Sequence, residues 1–374
     1  MSFPARLTEL TVEWLNAVFA ARGLPGAGRI VGFDAVPASV RGGTSSVRVL
    51  TLRYDPPTDS APKKVLAKFS SEDESVREAA REYRLYQREI AFYARYGKDP
   101  GIRTPACYAA EYDERGNTCV LLVEYVENAR SRDGAESGPE DVAAAVRCLA
   151  PFHAKWWGRE GSLAFIESEY ALPALEKRME KVTRAFTRIR EGGHRGAFGE
   201  TSFAILELWL THARRLADYA RSRPLTMCHG SFHRGQLLFP EEGVDLPWVI
   251  DWQSVSVNLG ATDLARIIVS GLLPGQRRQH ERPLMASYHA LLVEHGVRDY
   301  PWEPFLDDYR LGIVSLIVFH SLLLADYPVE VIAKFWKGKD SFWEVLFRWP
   351  GYAAEESDVL VWLEKTVRPF SGGS

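Results

Sequence analysis

The chain has 374 residues, 46% of them hydrophobic and 25% charged, with a formal net charge of −3. That length fits roughly two to three domains, or one two-lobed enzyme, and the composition excludes a disordered chain. With no basic surplus, neither nucleic acid nor an anionic membrane surface is expected as a partner. No protein partner is indicated either.

Along the chain, residues 8–22 place Leu15, Val18 and Phe19 on one helical face, and Gly23 follows as a stop. Ile30 to Val36 and Val47 to Tyr54 read as two strands joined through Arg41-Gly42-Gly43-Thr44-Ser45-Ser46. Asp55 to Ser60 is a loop by composition, and Lys64 to Phe69 a third strand. Glu72 to Tyr96 reads as one long helix that packs through Leu85, Ile90, Phe92 and Tyr93. Two more strands, Ala106 to Tyr112 and Cys119 to Val126, flank the turn Glu114 to Asn117. Short connections make this five-stranded sheet antiparallel. Residues 128–138 form a polar hinge, after which Ser137 and Glu140 stand at capping-box spacing before a helix toward Trp157. The remainder is mostly helical, with one strand-rich island between Thr226 and Gln253.

The most apolar stretch, Leu311 to Leu324, is too short to span a bilayer and reads as a core helix. Cys107, Cys119, Cys148 and Cys228 are scattered, without zinc spacing, and are expected as reduced thiols. Arg6, Glu9 and Glu13 do not suit a secretory signal, so the expected location is cytoplasmic. The fold class expected is α+β, with a small sheet lobe over residues 1–127 and a larger helical lobe over 128–374.

Three segments could carry chemistry. Gly42, Gly43, Thr44, Ser45 and Ser46 offer backbone N–H groups and hydroxyls to a polyphosphate, or form a plain hairpin turn. Only eleven of the 46 basic residues are lysine, so Lys68 inside the apolar strand Val65 to Phe69 stands out. It can hold nucleotide phosphates, paired with a carboxylate of the next helix, Glu89 first and Glu82 second, or it can snorkel to solvent. The third segment is His229-Gly230-Ser231-Phe232-His233-Arg234-Gly235-Gln236, followed by Trp248-Val249-Ile250-Asp251-Trp252-Gln253. A hairpin here would bring Gln236 and Asp251 together, and one amide oxygen with one carboxylate suits Mg²⁺. A buried polar network is the alternative.

The order of Gly-rich turn, strand Lys, helix Glu, hinge, H-G-x-x-H-x-x-[NQ] loop and I-D-W resembles the aminoglycoside phosphotransferase and choline kinase superfamily. Trp14 to Val18, Phe152 to Trp157 and Gly260 to Leu264 look more like its branch with the ecdysteroid kinases. The resemblance implies a protein-kinase-like fold with ATP between the lobes and Mg²⁺. Gly42 to Ser46 and Lys68 would hold the phosphates, Glu89 would fix Lys68, Glu124, Tyr125 and Val126 would be the hinge beside adenine, and Asp251 the main metal ligand. Gln236 replaces the usual Asn and keeps the amide oxygen. Ser231 stands where the family has the Asp that orients the acceptor hydroxyl's proton, and a serine cannot do this directly. His233 is a candidate substitute base, and His229 belongs to the same loop.

The reading reached is an ATP-dependent phosphotransferase acting on a hydroxyl of a small, bulky and partly apolar molecule. The alternative is a kinase fold that has lost phosphoryl transfer and binds small molecules or runs another reaction. Trp156, Trp157, Trp209, Trp302, Trp336, Trp343 and Trp349, with Glu303, Asp307 and Asp308, lie in the segments expected to line the acceptor side.

Overall fold

In the computed structural model, the described residues are 3–23, 28–38, 43–132, 138–163, 166, 168–241, 246–336 and 340–367. The chain divides into two compact units, Met1–Ala129 with Trp248–Val255, and Arg130–Pro247 with Ser256–Ser374.

In the N-terminal unit the Thr11 hydroxyl accepts the Trp14 N–H at 3.1 Å, an N-cap that opens helix α1 (Val12–Ala21). Strands β1 (Arg29–Pro37), β2 (Ser45–Asp55) and β3 (Lys64–Ser70) precede helices α2 (Glu74–Glu82) and α3 (Leu85–Arg95). Strands β4 (Cys107–Asp113) and β5 (Thr118–Glu124) complete a five-stranded antiparallel sheet in the order β1-β2-β3-β5-β4. Alternation along β3 separates its two faces. Val65, Ala67 and Phe69 join Leu15, Phe19, Leu50, Leu52, Val120 and Leu122 in the buried cluster that includes α1. Lys68 therefore projects from the other face, in register with Leu121.

The single helix expected over Glu72 to Tyr96 is instead two. Arg84 breaks it in the left-handed conformation, at φ 55°. No Gly or Pro in that stretch marks the break. Tertiary hydrogen bonds are what favour it. The buried Tyr86 hydroxyl donates to the Thr44 carbonyl and accepts the Ser71 N–H at 3.0 Å.

In the C-terminal unit the helix Pro139–Trp156 opens at Gly138, whose N–H donates to Asp141 at 3.3 Å. The carboxylate that reaches back is thus Asp141 and not Glu140, while Ser137 lies outside the described residues. Helices Leu172–Glu191, Glu200–Arg221, Gly260–Gly271, Pro274–Glu294 and Trp302–Asp326 make up most of the unit. The last is 25 residues, long and apolar enough to cross a membrane, with a window of mean hydropathy 1.5. Yet 72% of that window is buried within the protein. Burial, rather than the shortness expected of Leu311 to Leu324, makes it a core helix. It crosses the helix Gly260–Gly271 closely: a Cβ on Gly312 would stand 2.7 Å from the Ala261 carbonyl oxygen. Strand Thr226–Cys228 pairs antiparallel with Ser256–Asn258, Cys228 opposite Ser256, and so delivers His229 to the same helix.

Candidate active site

A continuous polar chain runs through the N-terminal unit. Lys68 Nζ lies 2.7 Å from Glu89 Oε2 and 2.8 Å from Asp251 Oδ1. Gln253 Nε2 donates to Asp251 Oδ2 at 3.3 Å, and Thr44 Oγ1 donates to Gln253 Oε1 at 3.2 Å. The Gly-rich turn is thereby tied to the lysine and both acids. Gln253 was not singled out in the sequence, although it stands two residues after Asp251.

The segment around Asp251 is seated by its neighbour. Trp252 is fully buried and stacks on Phe92 of α3 at 3.7 Å and 10°. Its indole N–H donates to Thr104 Oγ1 at 3.1 Å, and its backbone N–H to the Glu89 carboxylate. Asp251 itself takes the left-handed conformation, φ 64°, which Asp tolerates better than most residues.

Electrostatics keep the lysine charged. Burial alone would pull Lys68 down, but the carboxylates of Asp251 and Glu89 raise it above the usual lysine range. Burial pushes Glu89 up, even with Lys68 pulling the other way. The Asp251 side chain is 24% exposed, against 11% for Lys68 and 6% for Glu89. It is the member of the three most open to a ligand.

Of the Gly-rich turn, Gly42 lies outside the described residues. Gly43, Ser45 and Ser46 line an open pocket of about 410 Å³ together with Ser71 and Asp73. Glu124 ends β5 and accepts the Ala106 N–H at 3.1 Å, while Lys64 lies 5.5 Å from the Tyr125 ring centre. Val126 follows β5 without regular structure.

The His229 loop belongs to the C-terminal unit, as does Gln236 at the end of the 3-10 turn Arg234–Gln236. Asp263 organises the loop: it accepts the His229 N–H at 2.6 Å and the Gly230 N–H at 3.0 Å. Gly230 has φ 78°, a conformation open to glycine at little cost. His153 Nε2 stands 3.5 Å from Asp263, and its Nδ1 lies 2.7 Å from the Tyr288 hydroxyl. Burial works against the Asp263 charge, but His153, His229 and the donated N–H hold its carboxyl below the usual range. Asp263 and His153 had entered only as parts of sequence blocks, with no role assigned. Cys228 completes a close buried trio with them, yet burial raises it well above the usual thiol range.

The two other histidine rings are engaged locally. His229 Nδ1 accepts the Ser231 N–H at 3.3 Å, and His233 Nδ1 accepts the Gly235 N–H at 3.1 Å. In a neutral ring that arrangement puts the proton on Nε2 and engages the Nδ1 lone pair with the loop's own backbone. His233 caps its turn in this geometry. Asp308 is likewise occupied, in a buried network with Arg223 at 2.9 Å, Tyr300 at 2.7 Å and Tyr219 at 3.2 Å.

Over residues 58–323 the sequence matches the family model DUF1679, described as "Uncharacterized oxidoreductase dhs-27". Among curated protein sequences none matches. A structure from Ralstonia eutropha, provisionally named an aminoglycoside phosphotransferase, is 16% identical with a TM-score of 0.51, covering 95% of this chain and 98% of that one. The GDP complex of a point mutant of aminoglycoside 2'-phosphotransferase-IIIa is 12% identical with a TM-score of 0.50, covering 95% and 97%. Choline kinase LicA from Streptococcus pneumoniae is 13% identical with a TM-score of 0.47, covering 94% and 98%. At such identities the first two likenesses establish the fold, which is kinase-like.

Proposed function

The chain belongs to the DUF1679 family, and from that premise we propose that it is an ATP-dependent phosphotransferase acting on a hydroxyl of a small molecule. The carrying observation is the Lys68 ammonium between Glu89 and Asp251, linked through Gln253 to the Gly-rich turn. A fixed cation beside a glycine- and hydroxyl-bearing turn suits polyphosphate, and phosphoryl transfer depends chiefly on positioning and charge neutralisation. Dinucleotide oxidoreductases use a parallel, doubly wound sheet, whereas the sheet here is antiparallel, so the family's descriptive name does not guide the reading.

In this proposal Lys68 holds phosphate oxygens and Glu89 fixes its position. Gly43 to Ser46 donate to the phosphates, and Glu124 to Val126 border the base. Asp251 is a suitable Mg²⁺ ligand: a partly exposed carboxylate matches an ion that takes one or two acids and leaves the rest to phosphate and water. Bound there, Mg²⁺ would neutralise charge on the transferring group. The proposed location is cytoplasmic, from the cysteine usage.

One observation favours a second reading, a nucleotide-binding protein without transfer. Ser231 supplies no base, and the His233 ring is turned to its own backbone. The deciding experiment is calorimetric titration of ATP and GTP into the full chain, with and without Mg²⁺. Binding that tightens with Mg²⁺ and weakens in Lys68→Ala supports nucleotide use, while no binding at millimolar nucleotide refutes it. Turnover with an acceptor panel then separates transferase from binding protein.

A further inference from the structure

Beside Gly230, wholly within the C-terminal unit, lies a cavity with about 70 Å³ of room for solvent-sized groups. One water needs roughly 10–15 Å³ on that measure, so a small organic group fits. Leu175, Trp209, Leu311 and Phe319 supply apolar wall. The polar lining includes Arg266 and Ser256.

Arg266 sits one turn beyond Asp263 on the helix Gly260–Gly271 and is only 7% exposed. Its guanidinium lies over the Phe319 ring, 4.0 Å from the centre. Among the described residues no ion pair or hydrogen bond engages that guanidinium. Both acids of the lining are committed elsewhere: Asp263 to the N–H groups of His229 and Gly230, and Glu169 to Arg178. Ser256, 1% exposed, has a buried hydroxyl with no hydrogen-bond partner among the described residues. Burial lowers Arg266 to about 10 against the field of Asp263, which leaves it charged at neutral pH.

A buried cation with unused donors costs several kcal/mol unless an anion meets it. The guanidinium fork matches a planar carboxylate in two parallel bonds. A phosphate monoester would bring roughly −1.5 to −2 charges beside Asp263, more than one arginine offsets.

We propose that this cavity takes the carboxylate of a small organic acid, held by Arg266, with its hydrocarbon part on the apolar wall. Resting on the phosphotransferase reading, the inference makes the acceptor a hydroxy acid rather than an amine.

The test is calorimetric titration of the full chain, without nucleotide, with butyrate and benzoate, their amides, and phenyl phosphate. At least one acid is expected to bind about ten- to hundredfold more tightly than its amide, the scale of a charged hydrogen-bonded pair. Arg266→Met should remove that preference, the acid losing far more affinity than the amide. Equal affinity for acid and amide in the unaltered protein overturns the proposal without recourse to any variant. So does a preference for phenyl phosphate. ATP titrated into the same samples separates the two readings: acid binding without ATP binding keeps the pocket and removes the transferase.

Discussion

Lys68 is held by two carboxylates that differ in what they can spare. Glu89 is the deeper and Asp251 the more open, so an incoming phosphate would share Lys68 most readily with Asp251. Replacing Lys68 with Ala should weaken Mg²⁺-ATP binding about tenfold or more, the scale of a lost charged contact. Glu89→Gln should weaken it less, because Asp251 still holds the ammonium. Equal calorimetric affinities in all three proteins would sink the assignment. For Asp251, Asn is a sharper substitution than Ala, since Asn also tolerates the left-handed backbone. Asp251→Asn is expected to keep near-normal urea stability and lose the Mg²⁺ dependence of ATP binding. At Ser231, a restored carboxylate in Ser231→Asp should raise turnover by about 10²–10⁴ if a base is what the loop lacks. An unchanged rate would argue that the loop no longer serves transfer.

Two elements position these residues, and each has its own stability signature. Trp252 anchors the Asp251 segment through its stack on Phe92, so Trp252→Ala should cost about 3–5 kcal/mol by urea denaturation and lower ATP affinity as well. In the C-terminal unit the helix Gly260–Gly271 holds the His229 loop through Asp263. A carboxyl held below its unfolded value stabilises above the unfolded pKa, about 3.9, and loses that contribution as pH falls through the folded value. Asp263→Asn is thus expected to cost about 1.5–3 kcal/mol at pH 7, the scale of hydrogen bonds lost from a charged group. The gap to the unaltered protein should narrow below pH ~4. An undiminished gap in acid would show that the charge is not what matters. Both elements were partly legible in the sequence, since Trp252 follows the candidate acid and Asp263 sits in a quoted block. The break at Arg84 was not, because Tyr86 makes it through bonds to Thr44 and Ser71, distant in the chain.

For the molecule as a whole, ligand linkage provides the global check. A nucleotide that binds only the folded chain stabilises it by about 2.7 kcal/mol at a hundredfold excess over Kd. Mg²⁺-ATP should therefore raise the melting temperature of the unaltered protein and leave that of Lys68→Ala nearly where it was. A common shift in both would mean the nucleotide binds elsewhere. The division of the chain matters to the interpretation, because Trp248–Val255 packs with the N-terminal unit although it follows the helical region in sequence.

The sequence alone determined the five-strand antiparallel sheet, the helical remainder and the kinase-like class. The sheet and the helices follow from local periodicity and turn chemistry, encoded in neighbouring residues, whereas the kinase-like class is what the family resemblance of the motifs implied. It also nominated Lys68, as a lysine inside an apolar strand, Glu89 as its carboxylate partner from the next helix, and Asp251 as the acid that ends an apolar run. What it could not decide is where long-range partners meet. Lys68 and Asp251 are 183 residues apart, and their contact depends on how Trp252 packs on α3. The same holds for the Gln253 bridge, the Asp263 grip on the loop and the buried Arg266. Each is set by packing between segments remote in sequence, and periodicity carries no record of such distances.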